Sequence, residues 1–309
     1  MRIHVIIDFM HIYYKYFFQL KAGKLKRLSA AVETNGTTVQ KETTLIYYPL
    51  KDIEGIRHQF EQNEHDVTVS VCMDSRSKRK DDDTDGASAY KSGRKKNLSD
   101  NDLENLDLIE KALREAGHNV YKEEGYEADD LVSNLVTNYK NDFDCTIIYT
   151  NDKDLFVNID DTVGVMRFKN TVGYTRVLKS NYEYYLENEF GVRIPYNSIG
   201  LFLATVGDTA DKIKGINKFG VKAFEKLIDK LESENDIDWS VCGDYAELRK
   251  VADLCKKYLT ETQYEQMNDS FELVRNSELG RKLDKPEHRS TKELRIVAYE
   301  KYQMHSLIF

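Results

Sequence analysis

The spacing of apolar positions changes several times along the chain, and each change marks an element. Residues 2–8 gather Ile3, Val5, Ile6 and Ile7 into a short β-rich run that ends in an aspartate, Asp8, which predicts a strand. Residues 11–20 form an amphipathic helical segment. Residues 21–40 are polar, with Gly23, Asn35 and Gly36, and predict a loop or a small ribbon. Helical spacing returns within residues 44–62 at Ile53, Ile56 and Phe60, with Pro49 marking a start or a kink. Val67, Val69, Val71 and Met73 then alternate as a second strand, and it too ends in an aspartate, Asp74.

Residues 101–116 predict an amphipathic helix capped from Ser99, with Asp102 in its first turn and Gly117 closing it. A short strand at 118–121, an apolar helix from Leu131 to about Val136 and a buried strand at 145–149 follow. Late or edge strands are expected at 163–168 and 175–178. Strand, helix, strand, helix, strand is the order of an α/β fold: a parallel sheet flanked by helices. Beyond Pro195 come an apolar helix at 198–206, a glycine- and lysine-rich turn, and a helix over 221–231 with Val221, Phe224, Leu227, Ile228 and Leu231 on its apolar side. Residues 237–309 read as mostly helical and polar. With Trp239 and a late apolar cluster, Leu294, Ile296, Val297 and Tyr299, they suggest a tail that wraps the fold or contacts a partner.

Composition adds bounds to this picture. At 309 residues, 40% apolar and 32% charged, the chain suits a globular protein of two domains, or one domain with a helical extension. No apolar run approaches the ~20 residues of a membrane span. The four cysteines, Cys72, Cys145, Cys242 and Cys255, show no CxxC spacing and no histidine cluster, which argues against zinc and disulfides. With no secretory signal ahead of the first strand, a reducing, cytoplasmic setting is expected. A net charge of −8 argues against indiscriminate nucleic-acid binding, but the local distribution carries more information. Residues 75–96 set Arg76, Lys78, Arg79, Lys80, Lys91, Arg94, Lys95 and Lys96 around Asp81, Asp82, Asp83 and Asp85. Such a segment is either a solvated loop or one that orders on an anion. On a helix Lys91 and Arg94 would share a face suited to a phosphate, with Tyr90 beside them to stack on a base.

Chemistry concentrates at the acids. Glu127, Asp129 and Asp130 crowd the start of a helix, and Asp152 and Asp154 follow a strand end, where an extended backbone would point both side chains the same way. A helix dipole offers each carboxylate at its N-terminus only ~0.3–1 kcal/mol. Crowding costs more than that unless a divalent cation neutralises it, and all-oxygen donors suit magnesium or manganese. Asp8 and Asp74 end strands on the edge where open α/β sheets bind ligands, although Asp8 would serve equally well as a helix N-cap. Asp208 and Asp211 tie the glycine-lysine turn to this acidic centre. There Lys212, Lys214, Gly215, Lys218, Gly220 and Lys222 form a candidate grip on phosphates.

Asp8, Asp74, GYEADDL at 125–131, TNDKDL at 150–155 and GDTADKIKGINKFGVKAF at 207–224 resemble, in order, the motifs of the flap endonuclease and 5′-3′ exonuclease family. The likeness is nearest to its bacterial and bacteriophage branch, which includes phage RNase H, and covers about three quarters of the chain. It implies a PIN-like nuclease domain at 1–195, with a helical arch at about 75–100, and a helix-hairpin-helix-like and helical region at 196–309. Two Mg2+ ions are implied, with Mn2+ as a substitute. Asp8, Asp74, Glu127 and Asp129 match the first site, with Asp130 in the same motif; Asp152, Asp154, Asp208 and Asp211 match the second. The arch would supply Arg76, Arg79, Tyr90, Lys91, Arg94 and Lys95, of which Lys91 and Arg94 would orient the scissile phosphate. Lys212, Lys214, Lys218 and Phe219 stand where the family commonly has Asn, Pro, Gly and Ile, so the family's K+ at the hairpin does not carry over directly.

The activity so implied is metal-dependent hydrolysis at a 5′ flap, nick or recessed 5′ end of DNA, or of RNA-primed DNA, in replication or primer removal. A monomer is expected, with replication proteins as candidate partners, in the cytoplasm, or the host cytoplasm for a viral protein. A PIN-type or RNase H-like ribonuclease and a catalytically silent junction-binding scaffold stand beside it as alternatives.

Overall fold

The computed structural model describes residues 1–34, 37–75, 98–169, 173–209, 211–274 and 279–307. The chain divides into two compact units. Of the described residues, the first comprises 1–75, 98–149 and 280–307, and the second those from 150 to 279.

The first unit runs β1 (Arg2–Asp8), α1 (Phe9–Lys21), β2 (Ser29–Thr34), β3 (Thr37–Glu42), α2 (Thr44–Glu61), β4 (Asp66–Cys72), α3 (Asp100–Glu115), β5 (Asn119–Tyr121), α4 (Ala128–Tyr139) and β6 (Cys145–Tyr149), and the last helix, α10 (Lys292–Glu300), returns to it. Four strands pair in parallel in the order β5-β4-β1-β6. Residues 3–7 of β1 are all buried, as expected of a parallel strand covered on both faces. Each fully buried Ile or Val there contributes roughly 1.5–3 kcal/mol over its exposed state. His4 shares that burial, which pushes its imidazole down to about 3. It is therefore neutral, with Nε2 2.8 Å from Ser70 Oγ and its ring stacked on Phe143.

The parallel register sets where the strands end. Asp8 lies opposite Cys72, so both expected acids stand at the C-terminal ends of adjacent strands, Asp74 two residues beyond that pair. The polar stretch that followed α1 is the ribbon of the two options, with β2 and β3 antiparallel from Ser29↔Glu42 to Thr34↔Thr37. Pro49 does not mark a helix start. The Thr43 carbonyl accepts the N–H groups of Ile46 and Tyr47, opening α2 ahead of the proline, which is buried inside the helix. The capping box at α3 is as expected: Ser99 N–H donates to Asp102 Oδ2 at 2.8 Å and Asp102 N–H to Ser99 Oγ at 3.3 Å.

The returning segment is held by a buried polar network. Glu54 on α2 accepts from Arg57 Nε at 2.7 Å, from His118 Nε2 at 2.6 Å and from the Tyr299 hydroxyl of α10, with Arg295 Nε at 3.8 Å. The late apolar cluster is split: Tyr299 is buried, whereas Leu294 and Val297 are exposed. Residues 280–307 thus wrap the first unit, one of the two expectations for the tail at 237–309, whereas residues 237–274 belong to the second unit.

In the second unit, β7 (Val163–Lys169) and β8 (Gly173–Val177) form an antiparallel pair, followed by α5 (Tyr182–Phe190), α6 (Ile199–Val206), α7 (Val221–Glu234), α8 (Tyr245–Leu254) and α9 (Glu261–Val274). α6, IGLFLATV, is apolar all round and buried at all but its last position, the mark of a helix enclosed by others. It packs against α7, α8, α9 and the 3-10 turn Asp154–Asn158. α7 buries Phe224, Leu227, Ile228 and Leu231 on one face. No helix among the described residues is long and apolar enough to cross a membrane.

Candidate functional site

In the first unit, hydrogen bonds tie the end of β4 to the approach to α4. Ser75 N–H donates to the Tyr126 carbonyl at 3.2 Å, and Gly125 N–H donates to Ser75 Oγ at 3.0 Å. Gly125 takes φ 86°, a conformation that glycine adopts without steric cost. One step further, Asp74 Oδ1 accepts the N–H of Ala128 at 2.9 Å. Asp74 therefore satisfies one of the free donors at the start of α4, and its exposed carboxylate meets the Glu127–Asp129 motif. Within that motif Asp129 Oδ1 accepts from Asp130 N–H at 2.8 Å and Asp130 Oδ2 from Glu127 N–H at 3.0 Å. Asp130, 1% exposed, spends one oxygen on capping the helix, a structural task the motif alone did not disclose.

In the second unit, Asp152, Asp154 and Asp211 each offer a carboxylate oxygen within 4.8 Å of the other two. The convergence of Asp152 and Asp154 does not come from an extended backbone. Lys153 is in the right-handed helical region and Asp154 opens the 3-10 turn. Asp152 Oδ1 accepts the Asp154 N–H at 3.0 Å, the local side-chain-to-backbone bond that favours Asp in turns. The turn gathers what a strand would only have aligned.

Burial and the neighbouring Asp152, Asp211 and Asp208 charges push the Asp154 carboxyl well above the usual carboxylate range, with Lys153 opposing them. Asp154 is 7% exposed, and among the described residues nothing hydrogen-bonds its Oδ1. A buried carboxylate oxygen without a donor, facing two more carboxylates, is a site with the charge and donor type for a divalent cation such as magnesium or manganese. Asp208, expected in this group, is instead ion-paired with Lys153, whose Nζ lies 2.6 Å from Asp208 Oδ2.

The turn that follows α6 is closed by two backbone bonds, each 2.8 Å, between Asp208 and Ile213. Gly207 and Gly215 have φ 90° and 62°, and a Cβ on Gly215 would lie 2.5 Å from Gly207 N. Gly215, expected to turn its amide to a phosphate, is buried and donates to Ser270 Oγ at 3.1 Å. Its glycine serves close chain packing. Lys212, Lys214, Lys218 and Lys222 are exposed, as is Gly220, the N-cap of α7, which brings no side chain to cap the helix. Lys212 and Lys218 sit at φ 59° and 58°, left-handed positions where Asn and Gly would be more comfortable.

Arg76, Arg79, Tyr90, Lys91, Arg94 and Lys95 lie outside the described residues. Three residues that the pattern did not single out support the acids of the second unit. Asn151 bridges to β7 like an added strand residue, donating from Nδ2 to the Phe168 carbonyl and accepting the Phe168 N–H at Oδ1, both at 2.9 Å. Arg167 donates to the Asn151 carbonyl and to Glu189 Oε1, also at 2.9 Å. Lys153 is the third. Asn151 and Lys153 stood inside the TNDKDL motif and were legible there; nothing local marked Arg167.

The family profile described as 5′-3′ exonuclease, N-terminal resolvase-like domain, matches residues 4–189. DNA polymerase I of Caldicellulosiruptor bescii is 29% identical over 152 residues, which are 48% of this chain and 17% of that protein. The 5′-3′ exonuclease of Bacillus subtilis is 30% identical over 135 residues, 41% of each chain. The chain therefore spans less than half the length of these relatives. A bacteriophage T5 protein co-crystallised with metal ions aligns with a TM-score of 0.53 at 14% identity, over 89% of this chain and 100% of that one. The bacteriophage T5 flap endonuclease in complex with DNA and metal ions gives 0.50 at 13% identity, over 88% and 99%. At such identities the likeness speaks for the fold.

Proposed function

The chain belongs to the 5′-3′ exonuclease N-terminal domain family, and from that premise we propose that it is a metal-dependent 5′ nuclease. It hydrolyses phosphodiesters at flaps, nicks or recessed 5′ ends of DNA or RNA-primed DNA, in replication or primer removal. The observation that carries this reading is the Asp152, Asp154 and Asp211 group, with the buried Asp154 Oδ1 left without a hydrogen-bond donor among the described residues. The T5 flap endonuclease solved with DNA and metal ions supports the same partners for this chain.

Asp152, Asp154 and Asp211 would hold one divalent ion, with Asp208 beside them, and Asp8, Asp74, Glu127 and Asp129 another. Such ions, when bound, acidify water and stabilise the negative charge that develops on phosphodiester oxygens. The chain's own part is to fix the carboxylates, through the Ala128–Asp74 and Asp154–Asp152 bonds, and to hold the substrate. Lys212, Lys214, Lys218 and Lys222 bind backbone phosphates, so affinity falls with salt. Lys91 and Arg94 orient the scissile phosphate by the motif they belong to. The nuclease part is assigned to residues 1–195 and the duplex grip to 196–309, acting as a monomer.

A panel of 5′-labelled flap, nicked and RNA-primed duplexes, incubated with magnesium, manganese or chelator, tests this. The expected result is 5′-phosphorylated product with either metal and none with chelator. Cleavage that persists in chelator, or no cleavage of any substrate in magnesium and manganese, overturns it.

A further inference from the structure

We propose that Lys153 is a built-in counter-ion of the acidic group and competes with a divalent cation for Asp208. The inference rests on reading that group as a cation site. Lys153 lies in sequence between two of the three clustered acids, and its ammonium sits 2.6 Å from Asp208 Oδ2 with the two side chains 20% and 7% exposed. Asp154 and Asp211 beside it are 7% and 5% exposed. Four carboxylates drawn into a poorly solvated space need compensating charge even when no metal is bound. One ammonium supplies part of it.

The compensation is incomplete by design of the geometry. Lys153 satisfies Asp208, while Asp154 Oδ1 stays without a donor among the described residues. A divalent cation settling among Asp152, Asp154 and Asp211 brings two positive charges next to the ammonium. Coulomb repulsion then favours release of Lys153 toward solvent on its flexible four-carbon stem, leaving Asp208 to the ion. Lys153 thereby stabilises the metal-free protein and weakens its hold on metal. Both effects follow from a single charge, and they have opposite signs.

The opposed signs make the test. For the whole 309-residue chain without DNA, Mn2+ affinity is measured by isothermal titration and melting temperature is measured in chelator and in Mn2+. Lys153→Met and Lys153→Gln are expected to melt below wild type in chelator, to bind Mn2+ about tenfold more tightly or better, and to show a larger Mn2+-induced rise in melting temperature. Lys153→Arg, which keeps the charge, is expected to stay close to wild type. Lys153→Gln keeps a hydrogen bond to Asp208 should the methionine variant not fold. Equal or weaker Mn2+ binding by a folded neutral variant overturns the proposal, because a merely structural lysine would lose stability and affinity together. The reading beneath it fails separately: wild type binding no Mn2+, or Asp154→Asn binding it as wild type does, removes the cation site itself.

Discussion

The Asp74 carboxylate accepts the backbone N–H of Ala128 at 2.9 Å, so an acid at the end of one strand is pinned to the first turn of a helix 54 residues further on. Its charge and its accepting oxygen do separate jobs, and they can be separated. Asp74→Asn keeps an oxygen for Ala128 and is expected to melt near wild type while losing cleavage by ~100-fold or more. Asp74→Ala loses both and is expected to be ~1 kcal/mol less stable as well. Thermal melts alongside flap-cleavage rates check the pair.

Asn151 pairs with Phe168 through both its amide groups, fixing the start of the turn that carries Asp152 and Asp154. Asn151→Ala is expected to cost ~1–3 kcal/mol and to weaken divalent-ion binding by ~10–100-fold, the range seen when groups supporting metal ligands are lost. Denaturant melts and Mn2+ titration measure the two effects; unchanged Mn2+ affinity would remove Asn151 from the positioning role.

Lys218 holds φ 58° at an exposed position, a conformation that costs an L-residue ~1–2 kcal/mol and glycine little. Lys218→Gly is expected to change stability by less than ~1 kcal/mol, in the stabilising direction. It is also expected to reduce the salt dependence of duplex binding by about one counterion, the share of one phosphate contact. A salt titration of duplex affinity decides whether this lysine meets the backbone.

Burial by itself pushes the Glu54 carboxyl up. The charges of His118 and Arg57, with hydrogen bonds from His118 and Tyr299, outweigh it and bring the group down to about 2. Since an unfolded glutamate titrates near ~4.3, the native state binds its proton later than the unfolded one. The stabilisation is complete above ~4.3 and is lost as pH falls from there toward 2, and is of the order of 2–3 kcal/mol. Glu54→Gln is expected to lower stability at neutral pH by ~1–3 kcal/mol, because Arg57 loses its buried partner while keeping Glu61, and to flatten the acid limb. Denaturant melts between pH 2 and pH 7 follow both.

The β-rich run that ends in Asp8, the alternating run that ends in Asp74, the Ser99–Asp102 capping box, and the acids at the start of α4 were all readable from the chain, because each depends on neighbours within a turn or a strand. So was the α/β order, since strand-like runs and helical spacing succeed one another from β1 to β6. Glycine spacing around 207–220 pointed to a tight turn but not to its use: Gly215 gives its N–H to Ser270, 55 residues away.

What the sequence alone determined is therefore an inventory: the strands, most of the helices, and the carboxylates and lysines near their ends. Tertiary structure decided the pairings. Only the parallel register sets Asp8 opposite Cys72, only the 3-10 turn draws Asp152 and Asp154 together with Asp211, and only folding brings Lys153 to Asp208. Periodicity records whether a side chain faces water or the core, which is local. The charge that a carboxylate meets across space depends on loops and registers whose spacing leaves no periodic trace.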